Sequence, residues 1–127
     1  MYAFTGGVLL EKGPVSTYRD RLIQAFAGEY DIRSDRLWNC LRIKPRCVDF
    51  HDVAKLSIPG EVLFYLERSG ETYRTTFAAI CSYVNQLEPW ELIDAYIFDG
   101  SYRWLICITH EDLLCLLVRK ADPASSP

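Results

Sequence analysis

Two histidines and five cysteines are the side chains of this 127-residue chain best suited to act as a neutral-pH base, a soft metal ligand or a sulfur nucleophile. His51 is followed by Asp52, and His110 by Glu111 and Asp112. Histidine beside carboxylates suits an acid–base couple or a metal site with nitrogen and oxygen donors. The same acids also favour protonated His110 without giving it a task. Cys47 and His51 are four apart, a spacing that on a helix would put thiol and imidazole on one face. Pro45 stands just before them, and nothing points to an oxyanion donor. The sequence contains no H-E-x-x-H, no G-x-S-x-G and no glycine-rich phosphate loop. Catalysis by His110 with a neighbouring acid, with or without a metal, is therefore the alternative. The expectation is a protein that is not an enzyme, with no catalytic residue, cofactor or metal.

Cys40, Cys47, Cys81, Cys107 and Cys115 are odd in number. Six residues separate the first two and seven the last two, spacings that fit no compact zinc knuckle. The N-terminus has no basic region followed by an apolar one, so the expected location is the cytoplasm. There the cysteines read as reduced thiols used as small apolar side chains.

The remaining candidate is a surface rather than a reaction centre. Residues 88–112 hold six acids against one arginine, with Trp90, Trp104, Tyr96, Phe98 and Tyr102 among them. Aromatic rings supply contact area at low rotamer cost, and carboxylates steer a basic partner. Glu88, Trp90, Glu91, Asp94, Tyr96, Phe98, Asp99, Glu111 and Asp112 form the expected partner-binding set. The competing account makes Trp90 a lid on the core and the carboxylates a solvated sheet end. Residues 1–87 carry eleven Lys/Arg against ten Asp/Glu, and residues 88–127 carry three against seven. That acidic end argues against nucleic acid, whose phosphates dominate its affinity for proteins. A basic segment with Arg33, Arg36, Arg42, Lys44 and Arg46 is either a solvated face, a binding patch or an internal partner for the acids.

These residues need a scaffold, and the chain is long enough to bury one core. Its apolar runs are too short to span a bilayer. Tyr18, Leu22, Ala25 and Phe26 recur at helical spacing and predict a helix over 16–28, stopped near Gly28. Residues 1–10 read as a short edge strand or an ordered tail. Residues 35–43 read as helix or strand, and 49–56 as one or two helical turns. Residues 61–68, between Pro-Gly and Ser-Gly, predict a strand. Tyr73, Phe77, Ile80, Cys81, Val84 and Leu87 predict a second helix over 71–87.

Asp99-Gly100 suits a two-residue hairpin turn with positive φ at both positions. Pairing across it opposes Tyr96 to Arg103 and Ala95 to Trp104. Ile93, Ala95, Ile97, Tyr102, Trp104, Ile106 and Ile108 then share a core face. Asp94, Tyr96, Phe98, Arg103, Leu105, Cys107 and Thr109 share the other, too apolar to be simply wet. Either another part of the chain covers it or a second protein does, a homodimer included. Residues 113–119 read as a strand beside 103–109, with a helix as the rival, and 121–127 as a disordered tail. The expected fold is α+β: an antiparallel sheet of three to four strands covered by two main helices, one domain over 1–120.

The stretch 58–112 resembles small bacterial immunity-type proteins encoded beside polymorphic toxins. The resembling residues are the SIPGEVLFYLE strand, then Trp90, Glu91, Asp94, Tyr96, Phe98, Asp99, Tyr102, Trp104, Ile106, Thr109, His110, Glu111 and Asp112. The resemblance covers under half of the chain and carries no settled set of binding residues. It implies a non-enzymatic, tight-binding inhibitor of a toxin, such as an exported nuclease.

Overall fold

The computed structural model describes residues 4–13, 17–26, 46–48, 58–87, 93–108 and 114–118, with backbone alone for 46–48 and 114–118. Its elements are β1 (Val8–Lys12), α1 (Thr17–Phe26), β2 (Arg46–Val48), β3 (Glu61–Leu66), β4 (Glu71–Thr76), α2 (Phe77–Gln86), β5 (Ala95–Phe98), β6 (Trp104–Ile108) and β7 (Leu114–Val118). The strands make one seven-stranded sheet in the order β1-β4-β3-β5-β6-β7-β2. Every neighbouring pair is antiparallel. The fold is α+β as expected, with more strands than the three or four anticipated. No helix among the described residues is long and apolar enough to cross a membrane. The expectations for 35–43, 49–56 and the tail 121–127 lie outside the described residues.

The largest departure from the sequence reading is at 71–76. This segment begins not a helix but the return strand of a hairpin, in register from Leu66↔Glu71 to Glu61↔Thr76. Thr72, Tyr73, Thr75 and Thr76 are the β-branched and aromatic types that suit a pleated surface. Gly70 turns the chain at φ +73, and a Cβ there would lie 2.5 Å from the Gly13 carbonyl oxygen. The strand ends where Thr76 becomes the N-cap of α2, its hydroxyl accepting from Ala79 N at 3.3 Å. Tyr73 mimicked the first residue of a helical stripe because it and Phe77, Ile80 and Tyr83 bury into one cluster.

Each face of the sheet has its own core. Val62, Phe64, Leu66, Tyr73, Ala95, Ile97, Ile106 and Ile108 pack against α2 through Phe77, Ile80 and Tyr83. Phe4 joins them, edge-on to Phe64, Tyr73 and Tyr83 with ring centroids 5.0–5.2 Å apart. Such contacts add about 0.5–1.5 kcal/mol each beyond area burial. On the other face Tyr65, Tyr96, Phe98, Leu105 and Cys107 pack against Leu22, Ala25 and Phe26 of α1. The apolar second face of the hairpin is thus covered from within the chain. The helical spacing of Tyr18, Leu22, Ala25 and Phe26 is the seam that covers it.

The hairpin register differs from the expected one. Tyr96 opposes Cys107 rather than Arg103, and Ala95 opposes Ile108 rather than Trp104. The shift is four residues, an even number, so faces are preserved while partners change. Asp99-Gly100 is not a two-residue turn. The positive φ falls at Tyr102 (φ 54), while Asp99 gathers the loop around itself. Tyr102 consequently leaves the expected face and packs against Phe98 at 5.6 Å, in the α1 cluster. β7 settles the last element as a strand, paired with β6 from Trp104↔Val118 to Ile108↔Leu114.

Candidate functional site

Lys12 pairs with Glu71, Glu71 with Leu66, Leu66 with Ala95, and Ala95 with Ile108. These pairings define one end of the sheet. Here β3 leaves toward Glu67 and Arg68, and the chain enters β5 through Ile93 and Asp94. Two runs of charge therefore meet where strands stop, because neither a carboxylate nor a guanidinium can be buried inside a strand layer without a partner.

Glu67 is the centre of one group. Its side chain is 4% exposed and lies 3.3 Å from Arg19 Nη2. Tyr96 Oη donates to Glu67 Oε1 at 2.7 Å. Asp94 is the centre of the other, with its side chain fully buried and Arg68 Nε 2.9 Å from Oδ2. The Glu67 N–H donates to the Asp94 carbonyl at 2.9 Å and ties the two groups together. A third carboxylate, Glu71, accepts from Tyr73 Oη at 2.6 Å. That bond holds Glu71 below its ordinary range, with burial opposing it and Ser69 and Lys12 assisting. Burial, and then the same bond, push the Tyr73 phenol up to about 12. Glu71 and Tyr73 thus sit on opposite sides of neutrality and neither exchanges a proton there.

Asp99 lies at the opposite end of β5. Its Oδ1 accepts from Ser101 N at 2.9 Å and from the Ser101 hydroxyl, and its Oδ2 accepts from Trp104 Nε1 at 2.9 Å. Burial raises its pKa, but the bonds from Ser101 and Trp104 outweigh that and leave it lowered. Nearby, the Tyr102 hydroxyl is buried, with no partner at hydrogen-bond geometry among the described residues. Burial pushes its pKa up, against the Arg21 guanidinium.

The expected partner-binding set is therefore divided. Asp94, Tyr96 and Phe98 are at most 1% exposed, so they build the scaffold and present no contact surface. Of the two covers expected for this face it is the chain itself that supplies one, with α1 packed on Tyr96 and Phe98, and Arg68 neutralises Asp94. Asp99 is half-buried and organises its own loop, a strand's length from Asp94. Glu88, Trp90, Glu91, Glu111 and Asp112 lie outside the described residues, as do His51 and His110. Of the basic segment only Arg46 falls within a described element, in β2.

Glu67, Arg68, Arg19 and Glu71 were missed. The available signal was the ERSGE run, where charges crowd a strand end just before a glycine turn. Among the described residues no group of three or more His, Cys, Asp or Glu is arranged to hold a metal ion. A cleft of about 200 Å³ lies between the N-terminal segment and α2, lined by Phe4, Thr5, Gly6, Ala79, Ser82, Tyr83 and Gln86. It falls short of the roughly 300 Å³ at which small-molecule sites begin. Compared with known proteins, the chain matches no family, no curated protein and no solved structure.

Proposed function

We propose that the protein is a non-enzymatic immunity-type inhibitor of the cytoplasm that binds and neutralises a basic toxin domain, such as a nuclease. One observation carries the reading: Ala95 and Ile108 are directly opposed. Residues 88–94 lead into that end of the sheet and residues 109–113 lead out of it. Together they contain Glu88, Glu91, Asp94, Glu111 and Asp112, with Trp90, and no lysine or arginine. Of the acids at this end of the sheet, Asp94 and Glu67 already have their own arginines. Glu88, Glu91, Glu111 and Asp112 are then the acids that steer a cationic partner, and Trp90 is the contact residue among them. The test is the association rate with a basic toxin domain as salt rises. It should fall at least about tenfold between low and high ionic strength, with Glu91→Gln and Glu111→Gln each flattening the dependence. A rate that ignores salt removes the steering surface.

A second reading is a homodimeric adaptor, favoured by the β1 edge. A sheet face was the expected dimer surface, but both faces carry helices. The outer strand instead exposes Val8 (52%), Leu9 (47%) and Leu10 (38%). Antiparallel self-pairing about Leu9 opposes this apolar triplet to its copy and sets Glu11 and Lys12 against glycines. The ladder is short and carries a bulge at Leu10, so such a dimer is weak. Light scattering decides it: a mass that stays monomeric up to about 1 mM excludes the adaptor.

A further inference from the structure

Three of the five cysteines stand in one row across the sheet. Cys107 of β6 is directly opposed to Cys115 of β7, and Cys115 is directly opposed to Cys47 of β2. Directly opposed residues project from the same face of an antiparallel sheet. Cys107 lies on the face that α1 covers, so all three belong to that face. Cys107 itself is fully buried.

The two pairs in this row are not equivalent in the ladder. Opposed residues alternate along a strand between pairs that exchange backbone bonds and pairs that do not. A residue bonded to the strand on one side is non-bonded to the strand on the other. The Glu67 N–H donates to the Asp94 carbonyl, one step beyond the Leu66↔Ala95 pair. Glu67–Asp94 is thus a bonded pair, and two residues along so is Tyr65–Tyr96. Tyr96 therefore faces β3, which makes Tyr96–Cys107 a non-bonded pair. Cys107 in turn faces β7, so Cys107–Cys115 is bonded. Cys115 then faces β6, which leaves Cys115–Cys47 non-bonded.

Non-bonded pairs are the close ones, with Cα atoms about 4.5 Å apart against about 5.5 Å for bonded pairs. A disulfide spans Cα separations of about 4.4–6.8 Å, which both pairs meet; what separates them is access, because Cys107 is fully buried in an interior strand while β2 is the last strand in the sheet order. We propose that Cys47 and Cys115 are a redox-responsive pair that closes into a cross-strand disulfide, stapling the edge strand β2 to β7. In a reducing compartment the pair stays as thiols, and an oxidant of the small-molecule disulfide class closes it. One protein thiolate attacks a sulfur of that disulfide, whose S–S bond breaks and expels a small thiolate. The second protein thiolate attacks the protein sulfur of the mixed disulfide, forms the cross-strand bond and expels the second small thiolate. Two protein thiols are oxidised, one small disulfide is reduced to two thiols, and the two protons pass to the released thiolates.

Sequence distance makes the test sharp. Sixty-seven residues separate Cys47 from Cys115, and seven separate Cys107 from Cys115. In an unfolded chain loop closure favours the shorter link by about 30-fold. The native full-length protein is treated with oxidised glutathione, quenched with an alkylating agent and mapped without reduction, beside a sample oxidised in urea. The native sample should lose two of its five thiols and yield the peptide pair joined through Cys47 and Cys115. The urea sample should favour the short-range links. Cys107→Ser should retain the native link and Cys47→Ser should abolish it. Native mapping to Cys107–Cys115 or Cys40–Cys47 overturns the proposal, as do five unreacted thiols or glutathione adducts without an internal link. The wild-type map stands even if a serine variant fails to fold.

Discussion

Tyr96→Phe separates scaffold from surface with the smallest possible change. The ring stays, fully buried and stacked 5.8 Å from Tyr65. Only the hydroxyl that donates to Glu67 Oε1 at 2.7 Å is removed. The acceptor is a carboxylate whose side chain is 4% exposed, so water replaces the bond poorly. A hydrogen bond to a charged group is worth about 1.5–3 kcal/mol. Arg19 remains 3.3 Å from the other carboxylate oxygen and keeps Glu67 paired. The loss should therefore sit near the lower half of that range, about 2 kcal/mol. With an unfolding entropy near 2.1 cal/mol/K per residue, that lowers the Tm of this chain by about 7 °C. Denaturant and thermal unfolding measure it, with Glu67→Gln and the double variant closing a cycle. The coupling energy should be about 1–2 kcal/mol. Affinity for a toxin partner should be unchanged under conditions where the variant is folded. A Tm shift under about 1 °C, or a coupling of zero, refutes the buried network. A loss of affinity without a loss of stability would return Tyr96 to the contact surface.

Two further outcomes follow from local geometry. Asp99 is held below its ordinary value of 3.8, so its contribution is complete above about pH 4 and is lost as pH falls through the lowered folded value. Asp99→Asn should flatten the acid limb of the urea midpoint between about pH 5 and pH 2.5, and an unchanged limb counts against it. Gly70→Ala should cost about 1–3 kcal/mol, because φ is +73 and the new Cβ meets the Gly13 carbonyl at 2.5 Å. Amide exchange should show β1 loosening with it, since Gly13 N donates to Gly70 O across the same contact.

Much of the architecture was legible because burial imposes a period. The α1 seam, the β3 strand and the two faces of the β5–β6 hairpin were all read from apolar spacing. Faces survived a register error of four residues because side-chain alternation is blind to even shifts. Register itself was not legible. It depended on the turn, and Asp99-Gly100 suggested a tight one while the loop uses Asp99 as a side-chain acceptor and places its positive φ at Tyr102. Segment 71–76 was misread for a different reason. Its Tyr73 lies in the same core cluster as Phe77 and Ile80, so one buried patch served by a strand and a helix looked like a single helical stripe. The edge strands are short, β2 only three residues, and β1 exposes three consecutive apolar residues. Neither presents the alternation that marks a half-buried strand.

The partner-binding set was drawn as one acidic, aromatic rim, and strand geometry is what divides it. β5 is four residues long, and at about 3.4 Å per residue it holds Asp94 and Asp99 roughly 17 Å apart, at opposite ends of the strand. Alternation then sends Tyr96 and Phe98 inward to the α1 layer, where they close a core instead of meeting solvent. An acid at a strand end has two fates: it acquires a cation from the chain, or it keeps its charge for solvent and partners. Asp94 took the first through Arg68, and Glu67 through Arg19. On the proposed function the contact residues are therefore Glu88, Trp90 and Glu91, before β5 in the chain, and Glu111 and Asp112, after β6.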